Sequence, residues 1–500
     1  MKQKTVKLHA QRDVTLSIWL SDKGAGKPCF LICPGGAYRN CDESEGAPIA
    51  KAYNKRGYTA FILRYSVGKD SGWPNPLEDF EAAMEYLTAH QGELHICADR
   101  VIAVGLSAGG HLVTAAASSA KNRPYAVISC YGLAIRKTLA YCLPDAPDTS
   151  ELVNETTCPV FLASSRNDWI VPIENTTKLM EAFERHFVDY EAHIYGYGLH
   201  GFRLGAETGA TGPLFCARIG NWMDDSLGWV EELTSGRYVS IRDCAEYQDA
   251  HAAVLSTRNS CRRIFANPRT SELLQKKFPI QYLLYQGAKK RPYAVISCYG
   301  LAIRKTLAYC LPDAPDTSEL VNETTCPVFL ASSRNDWIVP IENTTKLIEA
   351  FEKHFVDYEA HIYGYGLHGF RLGAETGAKG PLFCARVGNW MDDSLGWVEE
   401  LTSGRYVSIR DCAEYQDAHA AVLSTKNSCR RIFANPKTGE MLQKKFPIQY
   451  LLYQGAKKQV GRFMDTVSLR NLFQLAKVSE KAISKIDEAL GAFENVEECR

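Results

Sequence analysis

Five hundred residues with 46% apolar and 23% charged side chains are ordinary globular composition, enough to bury substantial cores. Lys+Arg and Asp+Glu balance at 57 each, so the charge points to neither nucleic acid nor an anionic membrane as a partner. The N-terminal stretch MKQKTVKLHAQRDVTLSIWL has no apolar signal core, and no long apolar run occurs elsewhere, which predicts a cytoplasmic protein.

The first 235 residues alternate strand-like and helix-like segments, the pattern of a mostly parallel α/β sheet. Strands are predicted at Thr15–Trp19, Cys29–Cys33, Thr59–Leu63, Val101–Gly105, Ala126–Cys130, Val160–Ala163 and Glu191–Tyr195. Several are unbroken apolar runs, as expected of strands covered on both faces. The clearest helix starts at Asn75-Pro76, read as an N-cap followed by proline, with Glu78 closing a capping box. Leu77, Phe80, Met84 and Leu87 then share one face. From Gly236 the alternation stops, and polar helix-compatible stretches such as Thr270–Lys277 take over. Near the C-terminus, Leu469, Leu472 and Leu475, then Ile483, Ile486 and Leu490, predict two short amphipathic helices.

A long repeat organises the rest. Arg123–Lys290 recurs as Arg291–Lys458 at an offset of 168 positions, with eight mild differences such as Met180/Ile348 and Ile219/Val387. The repeat divides the chain into four units: 1–235 as a complete α/β domain, 236–290 as a truncated helical domain, 291–403 as a second copy of the α/β domain's C-terminal half, and 404–500 as a small helical domain. The seam Ala288-Lys289-Lys290-Arg291 shares Ala-Lys with Ala120-Lys121. Unequal recombination leaves such a mark, and so does an error of sequence assembly. The half-sheet of the second copy should expose an apolar edge, which invites domain swapping into a homo-oligomer.

Six of the seventeen cysteines arise from the duplication, and no C-x-x-C pair occurs, so reduced structural thiols are expected. The spacing of Cys244, His251 and Cys261 fits no usual zinc pattern, and no metal or other cofactor is implied.

Gly105-Leu106-Ser107-Ala108-Gly109 is a G-x-S-x-G motif between an apolar strand and a predicted helix at His111–Ser118. That context places Ser107 on a tight turn at the tip of a strand, a nucleophile elbow. A serine hydroxyl needs a base and an orienting acid. Asp168 follows the strand Val160–Ala163 and His200 follows Glu191–Tyr195, which gives the order Ser…Asp…His. Asp189 and Asp148 are alternative acids. Cys33-Pro34-Gly35-Gly36-Ala37-Tyr38 follows an early strand and offers backbone N–H groups of Gly36 or Ala37, with that of Ala108, as an oxyanion hole. A phosphate-cradling loop is the rival reading, but the K-[ST] of a P-loop is missing.

Together with Leu63-Arg64-Tyr65-Ser66-Val67 and Trp73–Asp79, these motifs resemble the acetyl esterase/lipase branch of the α/β-hydrolases, the bacterial acetylxylan-esterase-like members above all. The resemblance covers residues 1–235 and implies metal-free, serine-dependent hydrolysis of short acyl esters, often on sugars. The segment between Leu133 and Thr157 is short for a cap, which leaves substrate size open. A serine peptidase of the same fold is the runner-up, and a non-catalytic binding or scaffold protein is the reading from another class. The second copy repeats the acid and base as Asp336 and His368 without an elbow or a Pro-Gly-Gly loop, so it should be inactive. Met1–Asn122 could complete its sheet with either copy, and loop closure favours the nearer one.

Overall fold

The computed structural model describes residues 3–209, 214–243, 293–307, 315–373 and 384–495. The predicted helical stretch Thr270–Lys277, the trio Cys244, His251 and Cys261, and the seam at Ala288–Arg291 lie outside the described residues.

Among these residues eleven strands form one sheet, in the order β1-β2-β4-β3-β5-β6-β7-β8-β11-β10-β9. In chain order they are β1 (Gln3–Lys7), β2 (Thr15–Trp19), β3 (Cys29–Cys33), β4 (Ala60–Arg64), β5 (Val101–Leu106), β6 (Ala126–Cys130), β7 (Val160–Ser165), β8 (Tyr190–Tyr195), β9 (Val295–Cys298), β10 (Val328–Ser333) and β11 (Tyr358–Tyr363). From β4 through β3, β5, β6 and β7 to β8 every pairing is parallel, while β1 and β2 join antiparallel at the edge. Strands β3, β5 and β6 are buried at every residue, which accounts for their continuous apolar sequences. Helices Asn75–Ala89, Ala108–Ser119 and Glu174–Arg185 bury Phe80, Leu112 and Phe183 in the core on one side. Helices Ala47–Lys55 and Trp222–Thr234 bury Tyr53 and Trp229 on the other.

The expected capping box at Asn75 is not formed. The helix begins one residue earlier than the cap requires, with Pro74 at the N-cap. Asn75 Oδ1 instead accepts from Arg12 at 2.9 Å, and Glu78 pairs with the same guanidinium at 3.3 Å. A tertiary partner has taken both side chains from the local motif.

β5 pairs with β6, so the front of the sheet is completed by the first copy. The second copy's half-sheet attaches through an antiparallel pairing of β11 with β8, centred on His361 opposite His193. The contacts there repeat with the copies exchanged. Arg166 pairs with Glu352 and Arg334 with Glu184, both at 2.7 Å. Arg218 grips Glu359 and Glu400, as Arg386 grips Glu191 and Glu232. This is a pseudo-two-fold within one chain, with one hydrophobic core running through both sides of the junction. The expectation of an exposed edge is therefore corrected for β11, which is paired. It holds at β9, the far end of the sheet, where Ile296 is 41% exposed while its counterpart Ile128 in β6 is fully buried.

After helix Trp390–Thr402 come six helices between Ala413 and Leu490, including the two predicted ones at Leu469–Leu475 and Glu480–Leu490. Their own core gathers Leu469, Phe473, Ile483, Ile486 and Leu490. Leu475 is 46% exposed and faces away from it.

Candidate active site

Ser107 stands at the junction of β5 and helix Ala108–Ser119 with φ 55° and ψ −116°, a conformation that non-glycine residues rarely adopt. The two motif glycines make that turn sterically possible. A Cβ at Gly105 would lie 2.2 Å from the Gly109 carbonyl oxygen, and one at Gly109 would lie 1.8 Å from the Cys33 carbonyl oxygen. Strand, turn and helix thus pack backbone on backbone and push the serine out at the strand's C-terminal tip. The Ser107 carbonyl accepts from Gly110 and His111, and its N–H donates to Cys130 in β6.

The three residues predicted from chain order meet. His200 Nε2 lies 2.8 Å from Ser107 Oγ, and His200 Nδ1 lies 2.8 Å from Asp168 Oδ2. A carboxylate only accepts, so the ring proton is assigned to Nδ1, which leaves Nε2 to accept from the serine. The other oxygen of Asp168 accepts from the N–H groups of Ile170 at 2.9 Å and Val171 at 2.8 Å. Burial pulls the His200 pKa down, but the charge of Asp168 and its hydrogen bond, with Glu45 behind them, outweigh this and hold it above the ordinary value.

The alternative acids are engaged elsewhere. Asp189 accepts from Ser240 and Ile241, and Asp148 caps helix Thr149–Leu152 by accepting from Ser150.

The loop Gly35–Tyr38 is held by residues that sequence reading missed. Glu45 is 4% exposed and accepts from Gly35 N–H at 2.8 Å and from the Tyr131 hydroxyl at 3.0 Å. Burial raises its pKa, partly offset by His200 and the Gly35 bond. Tyr131 in turn lays its ring against His200, centroids 5.0 Å apart. The Tyr38 hydroxyl and His111 Nδ1 lie 2.7 Å apart, and His111 Nε2 donates to the Pro147 carbonyl. Burial pushes the His111 pKa down to about 4, so it stays neutral and accepts from Tyr38. Gly35 N–H is committed to Glu45, and a Cβ on Gly35 would lie 2.7 Å from Ser107 Cβ, so this loop packs against the serine; Gly36 and Ala37, both at positive φ, follow it in the loop, and Ala108 opens the helix after Ser107. Asn167 Oδ1 accepts from Gly198 and Leu199, tying the acid loop to the histidine loop. A glutamate ten residues beyond a Pro-Gly-Gly turn carries no pattern that would single it out.

In the second copy, Asp336 and His368 keep their bond at 2.9 Å, and Tyr299 lies against His368 as Tyr131 does against His200. No serine elbow precedes β9 in that copy.

The BD-FAE family model matches residues 16–130, which hold the Pro-Gly-Gly loop and the elbow. The solved structure of MGS-M1, an α/β hydrolase enzyme from a Medee basin deep-sea metagenome library, is 31% identical and matches 47% of this chain and 98% of its own, with a TM-score of 0.44. The chain belongs to the α/β-hydrolases. A sugar hydrolase of Lactococcus lactis is 26% identical over 47% of this chain and 99% of its own, TM-score 0.43. An acetyl ester-xyloside bifunctional hydrolase of Caldicellulosiruptor lactoaceticus is 24% identical over 46% and 91%, TM-score 0.40. Endo-1,4-beta-xylanase B of Butyrivibrio fibrisolvens is 25% identical over 221 residues, 38% of this chain, and the match spans only 34% of that protein. The parallel run from β4 to β8, with the elbow at the end of β5, fits this family: an α/β-hydrolase fold with a mostly parallel sheet. No described helix is long and apolar enough to cross a membrane.

Proposed function

We propose that the chain is a serine esterase that removes short acyl groups, acetyl above all, from carbohydrate or small alcohols, with one working site per chain. The observation that carries this reading is His200 bridging Ser107 and Asp168 at 2.8 Å on both sides. Ser107 Oγ attacks the ester carbonyl while its proton passes to His200 Nε2. The imidazolium so formed is stabilised by Asp168, against its Nδ1–H, and more distantly by the buried Glu45 carboxylate. The developing oxyanion is met by the N–H groups of Gly36 or Ala37 and of Ala108, fixed dipoles that need no reorganisation. Collapse expels the alcohol, which takes the proton back from Nε2, and water repeats the sequence to release the acid and free Ser107. The activities named for two relatives, sugar hydrolase and acetyl ester-xyloside hydrolase, favour an acylated sugar as substrate. Residues 291–403 are then a half-domain without catalysis, and 404–500 a separate helical domain.

The test is acetate release from acetylated xylo-oligosaccharides and from 4-nitrophenyl acetate. Ser107→Ala, His200→Ala and Asp168→Ala should each lower kcat/KM by about 10³ or more. Activity that survives Ser107→Ala, or cleavage confined to peptide amides, would sink the reading.

A further inference from the structure

The helices beyond Thr402 enter none of these steps, yet one of their turns touches both rims of the serine site. Arg39 directly follows the oxyanion loop Gly36–Tyr38, and Trp169 directly follows the triad acid. The turn Gly461–Thr466 reaches both. At one end, a Cβ on Gly461 would lie 2.8 Å from an Arg39 guanidinium nitrogen. At the other, Thr466 Oγ1 donates to the Trp169 carbonyl at 3.1 Å. Between them Met464 is 2% exposed and belongs to the helical domain's core, against which the Trp169 ring packs. The repeat supplies an internal control: Trp337, with the same sequence neighbours but no such packing, is 71% exposed. The pseudo-two-fold explains the placement, because the antiparallel β8–β11 pairing turns the second copy round and brings the helices after Thr402 onto the first copy's acid loop.

We propose that Gly461–Thr466 forms a fixed wall of the Ser107 cleft and limits the bulk of the group that reaches the serine, a role that rests on the esterase reading above. A turn packed close to Arg39 at one rim, hydrogen-bonded to Trp169 at the other and rooted in a core cannot swing aside freely, so the opening between Arg39 and Trp169 is set by the helical domain. The wall thus decides specificity without touching the reacting atoms.

The test uses the full-length chain and two methylphosphonofluoridates, one bearing an ethoxy arm and one a pyrenylbutoxy arm, with labelling rates read from intact mass. Thr466→Ala frees one anchor. Gly461→Leu breaks the other, since its side chain meets Arg39 and Gly461 sits at φ 64°. Each should raise the pyrenyl-to-ethoxy rate ratio about fivefold or more, and the double variant further, whereas Thr466→Ser keeps the hydroxyl and the wild-type ratio. Equal ratios in wild type and both loosened variants overturn the wall while leaving the esterase reading intact. Failure of the small ethoxy reagent to modify Ser107 in any variant overturns both.

Discussion

Truncating Arg386 to alanine tests the internal two-fold by energy rather than by shape. Its guanidinium crosses from the second copy to the first, meeting the two oxygens of Glu191 at 2.7 and 2.9 Å and Glu232 at 2.8 Å. Glu191 is fully buried on a central strand. Burial alone would raise its pKa, but Arg386 and His193 reverse this and hold it at about 2. Arg386→Ala leaves that charge stranded, and removing one partner of a buried pair costs about 3–5 kcal/mol. Arg218→Ala strands Glu359 and Glu400 in the mirror arrangement, at 2.7 and 2.9 Å. The two costs should therefore agree to within about 0.5 kcal/mol. Urea unfolding of the full chain, with hydrogen exchange at β8 and β11 as the local readout, measures both. A cost below about 1 kcal/mol for either variant, the scale of an exposed ion pair, would refute the packed pseudo-two-fold.

Other outcomes rest on the same geometry. Glu45→Gln removes a charge that raises the His200 pKa, so the acid limb of kcat/KM against pH should move to lower pH, and the loosened oxyanion loop should lower the plateau about tenfold, or about 1.4 kcal/mol. A limb that stays in place would show that Glu45 acts on shape alone. Asp336→Ala and His368→Ala should leave ester hydrolysis within twofold of wild type, since no serine elbow stands before them; a larger loss assigns the second copy a share in activity. Burial lowers the His361 pKa, but Asp393 and Glu359 more than reverse this and raise it to about 10. Its folded pKa lies above the unfolded value, so its contribution to stability is complete below about pH 6.5 and lost as pH rises toward 10. Thermal midpoints should fall across that window, and His361→Gln should flatten the profile; an unchanged slope would contradict the assignment.

How much of each element the sequence disclosed depends on how that element is buried. Cys29–Cys33 and Ala126–Cys130 read as strands because both of their faces are covered, and the structure places both ends where expected. β1, with the sequence Gln-Lys-Thr-Val-Lys, escaped notice because it is an edge strand with polar side chains. Asn75 and Glu78 had the pattern of a cap but serve Arg12, a partner 63 residues away in sequence that no local rule sees. Ser107, Asp168 and His200 were legible because chain order and strand ends constrain a triad. Glu45, Asn167 and His111 were not, since they act by holding backbone and neighbouring side chains. The β8–β11 junction was hidden for another reason: a repeat reveals that copies exist, not how they face. One signal was available in Glu191 and His193, polar groups within a strand buried at all six residues, which need partners from outside their own half.

On the proposed function, a chain that carries two acid–base pairs has one working serine. The most direct measurement is intact mass of the full-length protein after excess diisopropyl fluorophosphate, with the modified peptide mapped. A single adduct on Ser107 is expected, and none in Ser107→Ala. An unmodified protein, an adduct on another residue, or a second adduct among residues 291–403 would contradict the claim.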